Sequence, residues 1–219
     1  TPLFTWLEER FGDAEPVVET HREQRARGRA AFVPFFAELD ARRRDDSPAV
    51  VDMGPVATTQ DGSAPELDIR RSVSWAQLSA SVDQLAVALL RTGVRPGDRV
   101  NLMVPPGSML TTLIYACLRI GAVIVVADQG LGRQGLTRAL RGSSPRWFIG
   151  IRKALVGARA LGWPGTRIAA DALDPVSKKL LGVAHTVPEL MDSVTTVSPD
   201  EIPAVDPDAE AAVLFTSGS

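Results

Sequence analysis

Apolar residues recur at two spacings along this chain, and the alternation between them divides it into elements. Leu78, Val82, Leu85 and Leu89 follow Ser74 at helical spacing. Ser74-Trp75-Ala76-Gln77 has the capping-box spacing, in which the serine oxygen accepts an orphan backbone N–H and the glutamine reaches back to the cap. Gly93 supplies a left-handed C-terminal position and Pro96 blocks continuation, so the pattern predicts a helix from Ser74 to Gly93. Beyond it, strands and helices alternate. Arg99 to Val104 reads as a strand, Ser108 to Ile120 as a helix closed by Gly121, and Ala122 to Ala127 as an apolar, β-branched strand. A helix over Leu131 to Leu140 follows, then a strand at Arg146 to Ile149, a helix at Arg152 to Leu161 and a strand at Thr166 to Ala170.

The flanking regions are less regular. Residues 1–33 are charged without a clear apolar stripe and read as an extension, linker or peripheral helix. A subdomain is expected over 34–219, beginning with a helical stripe of Phe35, Phe36 and Leu39 that ends at Arg44. Ala49 to Met53 and Leu67 to Val73 read as strands. Between them, Gly54-Pro55 and Asp61-Gly62 mark a hairpin or loop. Asp171 to Asp208 is polar and dotted with prolines, and is read as less regular. A last strand, Ala211 to Phe215, runs directly into Thr216-Ser217-Gly218-Ser219. Short apolar strands separated by helices point to an α/β fold with a mostly parallel sheet flanked by helices.

Composition narrows the function classes. With 219 residues and 45% hydrophobic content the chain can bury a full core. A net charge of −2 gives no overall footprint for nucleic acid or an anionic membrane. Arg22 to Arg29 and Arg42-Arg43-Arg44 are interleaved with or followed by acids and read as solvated helix faces. The single cysteine, Cys117, excludes a disulfide framework and fits a reducing, cytoplasmic setting. Its neighbours Leu113, Ile114 and Leu118 mark it as a small core residue. His21 and His185 have no partners at metal-ligand spacing, so no metal site is assigned. The hydrophobic stretch from Val100 to Ala127 is broken by Pro105-Pro106-Gly107 and charged by Arg119. It reads as a buried strand–helix–strand passage rather than a membrane span.

Two motifs carry nucleotide chemistry. Thr216-Ser217-Gly218-Ser219 after a buried strand is a candidate phosphate cradle: glycine lets backbone N–H groups approach an anion, and the hydroxyls add donors. Gly130-Leu131-Gly132-Arg133-Gln134-Gly135 matches GxGxxG between a strand and a helix, the context of dinucleotide binding. Against it, Asp128 puts a carboxylate where a pyrophosphate would approach, and the next strand ends Gly150-Ile151-Arg152 without the ribose-binding acid. No Walker loop is present. No hydrolase triad can be assembled, and the paired carboxylates Glu8-Glu9 and Asp45-Asp46 lie in solvent-exposed contexts.

Three stretches together resemble the adenylate-forming superfamily, which includes acyl-CoA synthetases, nonribosomal-peptide adenylation domains and luciferases. Val73-Ser74-Trp75-Ala76-Gln77-Leu78, leading to Gly97-Asp98-Arg99-Val100, is similar to the family's "TYxEL…GDRV" block. Leu118 to Asp128 is similar to "LKAGAxxVPxD", and Ala212 to Ser219 to the start of "xxxxTSGSTGxPKG". Trp75 stands for the common tyrosine, and Gln129 for the proline usual after the aspartate. The resemblance implies that Thr216, Ser217, Gly218 and Ser219 begin the loop holding the phosphates of ATP, with Mg²⁺ sharing the charge. A substrate carboxylate then gives acyl-AMP and pyrophosphate. It also implies that the loop lysine, the adenine and ribose contacts and the catalytic lysine lie in the C-terminal part of the same enzyme. This stretch alone is therefore expected to be inactive. Ala122 to Gly130 followed by Pro145 to Ile151 looks like the long-chain fatty-acid-CoA-ligase-like group, which includes the olefin-pathway β-lactone synthetases. The expected substrate is a hydrophobic carboxylic acid such as a fatty acid, passed on to CoA. The alternatives are β-lactone formation from a 2-alkyl-3-hydroxy acid, a dinucleotide-binding module on Gly130, Gly132 and Gly135, and an inactive interaction domain.

Overall fold

The structure, a computed structural model, describes residues 38–51, 72–127, 131–206 and 208–215. The expectations for residues 1–33, for the turn residues 54–66 and for Thr216 to Ser219 lie outside the described residues.

A helical segment over 38–41 leads to strand β1 (Pro48–Val51), which pairs antiparallel with β2 (Ser72–Ser74). Helix α1 (Trp75–Thr92) starts at Ser74 with both halves of the capping box formed. Gln77 N donates to Ser74 Oγ at 3.2 Å, and Ser74 N donates to Gln77 Oε1 at 3.0 Å. It ends where Gly93 takes φ 108°. The chain then alternates through β3 (Arg99–Met103), α2 (Ser108–Arg119), β4 (Val123–Ala127), α3 (Gly132–Ser143), β5 (Trp147–Gly150), α4 (Arg152–Leu161) and β6 (Thr166–Ala169). Every element expected over this stretch is present, with ends shifted by at most a few residues.

The region read as less regular holds short elements that the sequence reading did not assign. It holds α5 (Pro175–Leu181), β7 (Val183–Thr186), α6 (Val187–Asp192) and a 3₁₀ turn at Pro199–Glu201, before the final strand β8 (Ala212–Phe215). The caps explain these short elements. Asp174 accepts from Ser177 N at 2.9 Å with proline at the first helical position, and Thr186 with Glu189 forms a second capping box.

β3 to β8 form one parallel sheet in the order β7-β6-β5-β3-β4-β8. Side chains alternate across it. Val100, Leu102, Ile124, Ile149 and Ile168 face one way and join a core with α1, α2 and α6. Phe148, Ala169 and Val183 face the other way, under α3 to α5, with Leu140, Leu155 and Trp163. Right-handed crossovers require this division: the β3–β4 and β7–β8 connections run toward one edge, and the β4–β5, β5–β6 and β6–β7 connections toward the other. Cys117 is fully buried in the first core, where desolvation pushes its thiol up to about 12. Among the described residues no helix is long and apolar enough to cross a membrane.

Candidate functional site: the carboxyl edge of the sheet

Because all six strands run the same way, their carboxyl ends share one edge, and ligands of open parallel sheets bind there, where the direction of winding reverses. Here the reversal falls between β3 and β5. β3 continues into α2 on one face, and β5 into α4 on the other. The two exits are held together by Ile151 N donating to the Met103 carbonyl at 3.1 Å.

Gly150, the last residue of β5, has no room for a side chain. A Cβ there would lie 3.0 Å from Phe148, 3.1 Å from Ala154 Cβ and 3.3 Å from the Met103 carbonyl oxygen. Beside it, Gly107 opens α2 with φ 152° and ψ −173°, a backbone state close to glycine-only. Gly107 offers no side chain to cap α2, so the first-turn N–H groups of that helix are not closed off by the cap residue. The Gly107 carbonyl instead accepts from Thr111 N and Thr111 Oγ1, both at 3.0 Å, which fixes the first turn.

The last strand, β8, ends at Phe215 on this same edge. β8 lies beside β4 in register, with Ile124 opposite Ala212 and Ala127 opposite Phe215. β8 is an edge strand in the described sheet, and Leu214 is 67% exposed.

The competing glycine motif receives a different explanation. Gly132 starts α3 at φ 62°, and a Cβ at Gly135 would approach Leu131 Cβ at 3.1 Å. Leu131 therefore folds back on its own helix, and the third glycine is accounted for by that contact. Gly130 lies outside the described residues. β5 ends in Gly150 with Arg152 beyond it, so the ribose-binding acid of a dinucleotide site is missing from the structure as it is from the sequence. His185 is exposed on β7, far along the sheet from β4 and β8. Among the described residues no three His, Cys, Asp or Glu side chains are grouped to hold a metal ion.

One cluster went unread in the sequence. Arg43, read as part of a solvated face, is exposed as expected but also bonds Asp83 of α1, whose side chain is only 10% exposed. Arg119 at the end of α2 completes the group, donating to Asp40 at 2.8 and 3.0 Å and lying 3.4 Å from Asp83. Burial alone would raise the Asp40 carboxyl, but the Arg119 and Arg43 hydrogen bonds outweigh it and hold the group below 3.8. Arg42 stays nearer solvent, bonded to Glu38 and stacked 5.0 Å over the Trp75 ring. The cluster clasps the 38–45 segment to α1 and α2 and lies apart from the carboxyl edge. The signal for it is not local in the sequence, since its members are 40 and 79 residues apart.

Residues 37–219 match the family described as AMP-binding enzyme. An olefin beta-lactone synthetase of Stenotrophomonas maltophilia (strain K279a) is 32% identical over 148 residues, covering 68% of this chain and 26% of that protein. An acetyl-coenzyme A synthetase of Desulfatibacillum aliphaticivorans is 29% identical over 175 residues, covering 73% of this chain and 26% of that protein. Thus the chain spans about a quarter of the length of the curated relatives it matches. Among solved structures, a long-chain-fatty-acid-CoA ligase from Archaeoglobus fulgidus superposes with a TM-score of 0.61 at 20% identity, over 84% of this chain and 34% of that one. At that identity the likeness concerns the fold. The family match runs from the clasped segment to the residues after β8, and the sheet has the fold of these enzymes. The chain belongs to the AMP-binding enzyme family of the adenylate-forming superfamily.

Proposed function

We propose that the chain supplies the phosphate-binding part of an ATP-dependent enzyme that activates a carboxylic acid. A carboxylate oxygen attacks the α-phosphorus of ATP, the bond to pyrophosphate breaks, and acyl-AMP and pyrophosphate result. In this reading Thr216, Ser217, Gly218 and Ser219 hold the triphosphate through backbone N–H groups and hydroxyls, and their task is to position and neutralise it. The observation that carries the reading is β8, which runs parallel to β4 and is aimed at the same edge as Gly107 and Gly150. Mg²⁺ commonly binds through substrate phosphates and its own waters. Among the described residues no three His, Cys, Asp or Glu side chains are grouped to hold it.

The acid is proposed to be hydrophobic, a fatty acid or a derivative, which CoA then captures as a thioester. Likeness to the acetyl-coenzyme A synthetase supports thioester chemistry. A second reading, supported by the 32% identity to the olefin beta-lactone synthetase, has a 3-hydroxyl of the same acid displace AMP to close a β-lactone. The remaining groups of the site would come from elsewhere in the same enzyme, so the 219-residue chain by itself is proposed to be inactive. A cytoplasmic location remains part of the proposal, in keeping with one buried thiol.

The test is acid-dependent exchange of pyrophosphate into ATP by the intact protein, with fatty acids, 3-hydroxy acids and short acids compared. Exchange stimulated by the long acids is the expected result, and product analysis with and without CoA then separates thioester from lactone. Binding of ATP with no exchange for any acid would overturn the proposed reaction.

A further inference from the structure

The net charge of −2 hides a steep division. Eight of the chain's 24 lysines and arginines, and none of its 26 acids, fall between residues 131 and 170, so that stretch carries +8. It builds α3, β5, α4 and β6. β5 is buried, and much of the charge stands outward on the two helices. On α3, exposed Arg133, Arg138 and Arg141 line an open groove of about 720 Å³ that reaches Leu161 at the end of α4. Among the described residues neither Arg133 nor Arg138 has an ion-pair partner. On α4, Lys153 and Arg159 are exposed on either side of Val156, which is itself 51% exposed.

The apolar character continues onto the neighbouring helix. Arg152 donates to Ser177 Oγ at 3.1 Å, tying the start of α4 to α5. Val176, beside Ser177, and Leu180, one turn on, are 76% and 71% exposed. Asp171 and Asp174 at the head of α5 are the first acids after the basic stretch and mark its limit. Single exposed apolar residues need no explanation, but three on one outer layer beside unpaired cations do.

We propose that the outer layer of α3, α4 and α5 is a docking surface for an anionic phospholipid bilayer. Charge complementarity draws the arginines and lysines to negative headgroups, and the groove arginines engage headgroup phosphates. Val156, Val176 and Leu180 then enter the boundary between headgroups and acyl chains, as the apolar side of an interfacial helix does. A nucleic acid would use the cations and leave the three apolar side chains in water, which is why the bilayer is favoured. The overall charge balance, read in the sequence as giving no membrane footprint, averages this layer against the acidic remainder. The proposal stands apart from the reading of the carboxyl edge.

The test is sedimentation of the intact protein with vesicles of phosphatidylcholine containing about 30% phosphatidylglycerol, against pure phosphatidylcholine, at low and high salt. The protein is expected to sediment only with the anionic vesicles and to be partly released by salt. The variant R138Q/R141Q/K153Q should lose about 100-fold in partitioning, at roughly fivefold per cation. V156S/V176S/L180S should lose at least about tenfold and become fully salt-reversible. Melting temperatures report folding of both variants, and the single substitutions Arg138→Gln and Val156→Ser provide graded losses if a triple variant is unstable. Equal sedimentation with both vesicle types, or a folded cation variant that partitions like the wild type, overturns the proposal. So does binding to a DNA duplex, lost in the cation variant, by a protein that never sediments with vesicles.

Discussion

The two faces of the sheet are covered by helices of opposite character. On one, α1 packs against both α2 and α6, and its buried positions run around most of its girth, including Ala86, Val87, Ala88 and Leu89 in succession. On the other, α3 and α4 bury narrow stripes, such as Ala139 with Leu140 and Leu155 with Ala158, and turn arginines outward. The comparison separates two demands on a helix. One packed on several sides has almost every position fixed by neighbours, whereas one in a single outer layer needs only its i, i+3, i+4 stripe. Its other positions are free to carry a surface role.

The largest effects should follow that contrast. Ala88→Arg places an unpaired charge at a buried position of α1 and should cost at least about 3–5 kcal/mol, whereas Ala160→Arg at an exposed position of α4 should stay within about 0.5 kcal/mol. Denaturant unfolding of both variants checks this, and equal losses would erase the distinction between the faces. Beneath the helices the distinction should vanish. Leu113→Ala on one side and Leu155→Ala on the other, both fully buried, should each cost about 2–5 kcal/mol. Asp83→Ala removes the most buried member of the clasp while leaving Arg43 and Arg119 with Asp40, and a loss of about 1–3 kcal/mol is expected in the same measurement.

The smallest effect is one of pH. Asp40 is more acidic folded than unfolded, so its contribution is fully present above the unfolded value near 3.8 and is lost as pH falls through the lower folded value. Asp40 is partly exposed, and after solvent screening the contribution is about 0.5 kcal/mol. Unfolding midpoints measured from neutral pH down to about pH 3 should fall less steeply in Asp40→Asn than in the wild type. Identical slopes would contradict the assignment.

Legibility in the sequence followed the same physics. α1 was readable to the residue at its start, because Ser74 and Gln77 close a local hydrogen-bond pair and the apolar stripe from Leu78 to Leu89 runs for about three turns. α5 and α6 were passed over because helices of seven and six residues complete too few turns to show a period, and β7 because its Ala184 and His185 are exposed and break the apolar run that marked the four-residue strands β5 and β8. Their caps, Asp174 before Pro175 and Thr186 with Glu189, were nonetheless present to be read. The Arg43–Asp83 pair went unread because the partners come from different elements, and no window along the chain contains both. At the candidate site, the sequence marked the strand entering Thr216 and the glycine at 107 that breaks the hydrophobic stretch. The crowding at Gly150 emerges only when β3, β5 and α4 are brought together.

The most direct test is pyrophosphate exchange by the intact protein carrying Gly218→Val, compared with the wild type under saturating acid. If the residues after β8 cradle the triphosphate, a branched side chain there should reduce exchange by at least about 100-fold while the melting temperature stays unchanged. Exchange at the wild-type rate in a folded Gly218→Val protein would contradict the phosphate-binding role and require another ATP site.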